Sequence, residues 1–169
     1  MRGGFELAFA VNRSFPEGNY SLREIFSGLE GVEPLVRCVG DRLTLGQILD
    51  RTRVTLKDED GYMYVNDEDG GLIIGLEYLR SGELPHLYLD VIHELVHVKQ
   101  FLQGRNLFDG RYRYVDRPTE IEAYQCCVEE GRKMGMSEEA IADYLYVEWV
   151  TKKDHARLLK TLGVRASPS

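Results

Sequence analysis

The run "LPHLYLDVIHELVHVKQFLQG" constrains this chain more than any other stretch, because it is apolar on nearly every side of a helix yet holds two histidines and a glutamate at its middle. Pro85 suits a first helical turn and Gly104 a helix end, so the pattern predicts a helix over about residues 85 to 103. Leu87, Leu89, Val91, Ile92, Leu95, Val96 and Val98 leave it no wide polar face, which puts this helix at the centre of the fold. A helix buried there shows its polar residues only to a cleft. His93 and His97 stand four residues apart, one turn along the same face, and Glu94 directly follows the first.

Buried histidines are more often hydrogen-bonded core residues than ligands, and a five-residue match arises by chance. Two buried imidazoles beside a buried carboxylate are nevertheless costly without a compensating partner, and a divalent cation is such a partner. Zn²⁺ suits imidazole, and a catalytic zinc keeps three protein ligands and one open position. His93 and His97 are expected to supply two ligands, with Glu94 where H-E-x-x-H proteins carry the general base. The third ligand must come from another element.

The segment "RPTEIEAYQCCVEEGRKM" offers it. Glu120, Ala123, Tyr124, Cys127, Val128, Gly131 and Met134 recur at three and four, forming the inward face of a helix over about residues 119 to 134. Glu122, Gln125, Glu129, Arg132 and Lys133 fall on its polar side. Thr119 and Glu122 match the capping box, which gives Glu122 a structural task and makes Glu120 the preferred ligand. Glu122 stays open as the alternative, because a slip in the helix start exchanges the two. His86 and His155 are weaker candidates, one near the start of the motif helix and one in a charged segment.

The remainder reads as α+β. "FELAFAV" (5 to 11) suggests a strand, Ser21 caps a short helix ended by Gly28 or Gly31, and "LTLGQILDRT" (43 to 52) a further helix. Residues 62 to 65 and 72 to 79 flank the turn-rich "NDEDGG" as a hairpin, and the second of these segments is the nearest edge for a substrate strand. Gly135 ends the glutamate helix, Ser137 caps "EEAIADYLYVEWV", and "DHARLLKTLG" makes the last helix. The expected architecture is one domain spanning residues 1 to 169, sheet-rich over 1 to 80 and helical over 85 to 163.

Composition excludes some partners. A net charge of −7 argues against general nucleic-acid binding, and the run Lys152, Lys153, His155, Arg157 and Lys160 reads as a solvated helix face. No apolar run approaches the roughly 18 residues of a membrane span. Cys38, Cys126 and Cys127 make an odd set without C-x₂-C spacing, so a reducing, cytoplasmic setting is expected. The acidic clusters at 58 to 60 and 67 to 69 lack the twelve-residue ligand pattern of a calcium loop and read as turns. Oligomeric state is not legible.

"HELVH" and "RPTEIEAY", with 22 residues between His97 and Glu120, resemble the gluzincin metallopeptidases, whose zinc is held by two HExxH histidines and a glutamate on a following helix. The chain's size and its order of sheet, active-site helix and glutamate helix are similar to the small single-domain minigluzincins; residues 62 to 134 carry the likeness. The "NE" signature of larger members is absent, and Gln103 stands where a metzincin has its third histidine. The resemblance implies a zincin-like fold, a Zn²⁺ cofactor on His93, His97 and Glu120, and hydrolysis of a peptide or protein substrate with Glu94 as base. A tyrosine among Tyr112, Tyr114 and Tyr124 is a candidate to stabilise the oxyanion. Two rival expectations are a regulatory protease for one protein partner and a non-catalytic domain stapled by a structural zinc.

Overall fold

The computed structural model describes residues 7–166, and the chain is mixed α+β. The first elements are β1 (Ala10–Val11), β2 (Gly18–Ser21), the single turn α1 (Leu22–Ile25) and β3 (Phe26–Ser27). Strand β1 is shorter than the predicted 5 to 11, of which residues 5 and 6 lie outside the described residues. Ser21 does open α1, its backbone N–H and hydroxyl donating to Glu24 Oε2 at 2.6 and 2.8 Å. The helix ends at Ile25 rather than at a glycine, because Phe26 and Ser27 pair antiparallel with β1 and Phe26 stacks on Phe9 at 5.6 Å. Gly28 follows at φ +84°, where a Cβ would fall 2.2 Å from the Ala8 carbonyl oxygen.

Two helices, α2 (Glu33–Val39) and α3 (Arg42–Arg51), lead into the principal sheet. Asp41 caps α3 through its carboxylate, which accepts from the Thr44 N–H at 2.7 Å. The sheet runs β2, β4 (Arg53–Lys57), β6 (Leu72–Gly75), β5 (Met63–Val65), with β4 and β6 parallel and both outer pairs antiparallel. The predicted hairpin is β5 with β6. Its second strand stops at Gly75 instead of residue 79, because Leu76–Ser81 turns into α4 and buries Leu76 and Leu79. Strand β4 was not anticipated, although Val54 and Leu56, both fully buried, alternate with more exposed neighbours.

The long helix α5 (Leu84–Leu102) lies between the sheet and α6 (Pro118–Lys133), touching β5 on one side and packing along α6 on the other. Leu87, Val91, Ile92, Leu95 and Val96 on α5 are fully buried, in line with its all-round apolar sequence. Helix α6 serves two cores. Ala123, Cys126 and Cys127 join the cluster around α5, while Tyr124 and Val128 join a second one with α7 (Glu138–Tyr144) and α8 (Lys152–Leu162). Ser137 caps α7 by accepting from Ala140 N–H at 3.1 Å, but α7 stops at Tyr144. The predicted continuation to residue 150 is an irregular strap that leaves Tyr146 and Trp149 exposed. No helix among the described residues is long and apolar enough to cross a membrane.

Candidate metal centre and cleft

Helical periodicity brings the α5 motif to one wall. His93, Glu94 and His97 are 7%, 8% and 5% exposed, enough to reach a cleft and too little for water alone to satisfy them. Pro118 fixes the start of α6, so Glu120 sits in the first turn, where the free N–H groups favour a carboxylate. Ala123, one turn on and fully buried, lets α6 approach α5 closely.

Three ligand-type atoms meet between these helices. His93 Nε2 lies 3.0 Å from His97 Nε2 and 3.1 Å from Glu120 Oε2, and His97 Nε2 lies 3.3 Å from that same oxygen. Ligand atoms about 2.0 to 2.1 Å from a tetrahedral zinc stand roughly 3.3 Å apart, so the triangle has the size such an ion needs. Among the described residues this is the one group of three or more His, Cys, Asp or Glu side chains able to hold a metal ion.

The protonation pattern around it is set by neighbours. Gln100, fully buried, donates through its amide nitrogen to the Thr119 carbonyl at 3.0 Å and to Glu122 Oε2 at 3.2 Å. Its amide oxygen therefore faces His97 Nδ1 at 2.7 Å, which must carry a hydrogen, so a metal ion would bind at Nε2 by displacing the proton that this nitrogen shares with Glu120. Two imidazole nitrogens and a carboxylate this close call for a shared positive charge. Burial works against charge on His97, yet hydrogen bonding to Glu120 and the nearby Glu94 raise it to about 9. Burial likewise opposes ionisation of Glu120, but hydrogen bonds from His93 and His97 hold it well below the usual carboxylate range. Both effects mark a place that a cation occupies favourably. Burial pushes Glu94 up to about 7, with His97 and His93 pulling the other way.

Glu122 is not brought to the histidines. It binds Lys99 and Arg105, and the Cys38 thiol points at its Oε1 from 3.5 Å. The capping-box argument that assigned it a structural task is corrected: Arg117 is the residue before the helix, and the Thr119 hydroxyl has no hydrogen-bond partner. Proline at the first helical position shifted the true start by two residues. His155 bonds the Ala142 carbonyl at 2.8 Å, and the exposed His86 ring lies tilted 5.9 Å from Tyr144, so neither joins the cluster.

Two adjoining cavities, of about 360 and 380 Å³, share His93 and Glu94 on their walls. The inner lobe also contains His97, Glu120 and the β5 residues Met63 to Val65. Strand β6 lies between β4 and β5 and has no free edge, so the edge facing the cleft is β5 rather than the predicted 72 to 79. Tyr114 lines both lobes and shares a hydrogen bond with Tyr124 at 2.7 Å, while the Tyr124 ring rests on His93 at 4.3 Å. Tyr112 is 42% exposed and lines neither lobe. Gln100, Asp90 and Trp149 were missed as site residues. Gln100 had a signal, a polar residue at i+3 from His97 on an apolar helix, whereas Trp149 reaches the cleft only through the strap's tertiary path. Comparison with protein-family models, curated proteins and solved structures returned no match.

Proposed function

We propose that this chain is a zinc-dependent metallopeptidase, gluzincin-like in its ligands and zincin-like in its fold. The observation that carries the reading is the convergence of His93, His97 and Glu120 within 3.0 to 3.3 Å on the wall of a cleft that Glu94 also lines. A purely structural zinc is normally enclosed by four protein ligands; this group has three and opens to a cavity, which favours catalysis over a staple.

Bound zinc supplies Lewis acidity toward the carbonyl and lowers the pKa of the attacking water. Glu94 follows His93 by one residue, about 100° around the helix, so its carboxylate faces the cleft beside the cluster. It accepts the water's proton as the C–O bond forms and returns it to the amine nitrogen as the C–N bond breaks. Tyr114 offers a hydroxyl to the developing oxyanion, with Tyr124 orienting it. The substrate backbone pairs with the free edge of β5, which holds the scissile bond against the cluster.

Elemental analysis of protein purified without chelator should find one zinc per chain, and a degenerate peptide library should be cut. Glu94→Gln should keep zinc and fold while turnover falls by about 10² to 10⁴-fold. Metal content near zero that added zinc cannot restore would falsify the metal assignment. Full zinc with no cleavage of any peptide would favour the structural alternative.

A further inference from the structure

We propose that the outer lobe of the cleft is a subsite for a cationic side chain, lysine or arginine, on a residue beside the scissile bond. Its place in a reaction rests on the peptidase reading; its preference for a cation rests on the lobe itself.

The lobe, about 380 Å³, is large enough for a long side chain. Its walls are aromatic: Tyr62, Tyr78, Tyr144, Tyr146 and Trp149 line it, and ring faces attract cations. Four carboxylates, Asp90, Glu94, Asp143 and Glu148, share the lining with His86 and His93, and it contains no lysine or arginine. None of the four has a Lys or Arg ion-pair partner among the described residues, unlike Glu122, which holds both Lys99 and Arg105. Carboxylates with no lysine or arginine beside them, set against low-dielectric walls, draw cations to that spot.

The direction of the hydrogen bonds sharpens the preference. Tyr78 and Tyr144 donate their hydroxyl hydrogens to Asp90, the latter at 2.8 Å, and Tyr62 donates to Glu148 at 3.0 Å. Each of these phenols has spent its one donor, so it presents only acceptor lone pairs to the lobe, as do the exposed carboxylates Asp143 and Glu148. His93 turns its Nε2 to the metal cluster, and His86 stays at the lip against Tyr144. Acceptors therefore dominate the Asp90 and Glu148 sides of the lobe and suit a donor-rich guest, while Tyr114 and the Trp149 indole N–H remain as donors elsewhere on the wall. A lysine ammonium or arginine guanidinium meets that need at its tip and packs its methylenes on the rings. A norleucine side chain leaves the acceptors unmet, and a glutamate adds repulsion.

Peptides identical except for Lys, Arg, norleucine or Glu beside the cut bond test this with zinc-loaded protein. Lys and Arg peptides should show kcat/KM roughly tenfold or more above norleucine, with Glu lowest. Trp149 is the chain's one tryptophan and lines the lobe, so its fluorescence reports occupancy without catalysis. N-acetyl-lysine amide should perturb it at severalfold lower concentration than N-acetyl-norleucine amide. Asp90→Asn should shrink both ratios, and the exposed pair Asp143→Asn with Glu148→Gln should do so even if the Asp90 variant fails to fold. Cleavage without a cationic preference overturns the subsite and leaves the peptidase reading standing. Selective lysine-amide binding that the rim pair weakens, with no peptide cut, keeps the cation subsite and removes the peptidase reading. Equal response to both amides overturns it outright.

Discussion

Glu120 and Glu122 leave the opening turns of one helix two residues apart and meet opposite surroundings. Glu122 is neutralised from within the chain by Lys99 and Arg105, with Gln100 adding a third donor at 3.2 Å. Glu120 meets two imidazoles instead, and the one guanidinium near it, Arg117, stops 3.9 Å from its other oxygen. Burial opposes ionisation at both, and both stay ionised: Glu122 at about 2 through permanent cations, Glu120 through neighbours whose charge is optional. The difference separates a carboxylate that closes a structure from one that leaves room for an external cation.

The largest expected effect breaks the pair apart on zinc. Glu120→Gln removes the proposed anionic ligand and should lower zinc affinity by more than about a hundredfold, since loss of a mere supporting partner already costs 10 to 100-fold. Glu122→Gln should change it only a few-fold. Competition against a chelator of known affinity measures both. Zinc retained in Glu120→Gln and lost in Glu122→Gln would exchange their roles.

Gln100 is the bridge between the two environments, and it gives the next smaller effect. Its amide carries Glu122 and the Thr119 carbonyl on one end and fixes the His97 tautomer with the other. Gln100→Leu keeps the side chain's bulk but frees that tautomer, so zinc affinity should fall about 10 to 100-fold. Melting of the metal-free protein, measured alongside, separates this from simple packing. An unchanged affinity with a lowered melting point would make Gln100 a core residue and nothing more.

The same comparison shows what a sequence can disclose. His93, Glu94 and His97 were legible because helical spacing alone puts them on neighbouring faces of one element, and the apolar context of α5 implied its burial. Glu120 was chosen over Glu122 through a cap that does not exist, and the face pattern of α6 did the useful part of that inference. The strap from 145 to 150 was read as part of the helix that Ser137 caps; Tyr62 hydrogen-bonding Glu148 and the Trp149 ring 5.9 Å from Tyr114 hold it over the cleft instead. Strand β4 is only five residues, too short for its alternation to outweigh the charges beside it, yet it joins the two halves of the sheet. Interactions set by distant partners were the ones that local pattern did not carry.

The smallest effect concerns stability, and it probes the closed half of the comparison. In Glu122→Gln, Lys99 loses the counter-charge that holds its ammonium, and its side chain is only 15% exposed. Arg105, at 35%, can turn to water and contributes little. The cost lies between that of a surface pair and a buried one, about 1 to 2 kcal/mol, or roughly 2 to 8 °C in Tm for a chain of this size. Denaturation of metal-free protein is the measurement, because bound zinc would add its own stabilisation to both variants. Raised salt should shrink the difference only in part, since the Lys99 end is shielded from solvent. A variant as stable as the parent would mean that both cations find water freely, and Glu122 would then differ from Glu120 only by which side of α6 it occupies.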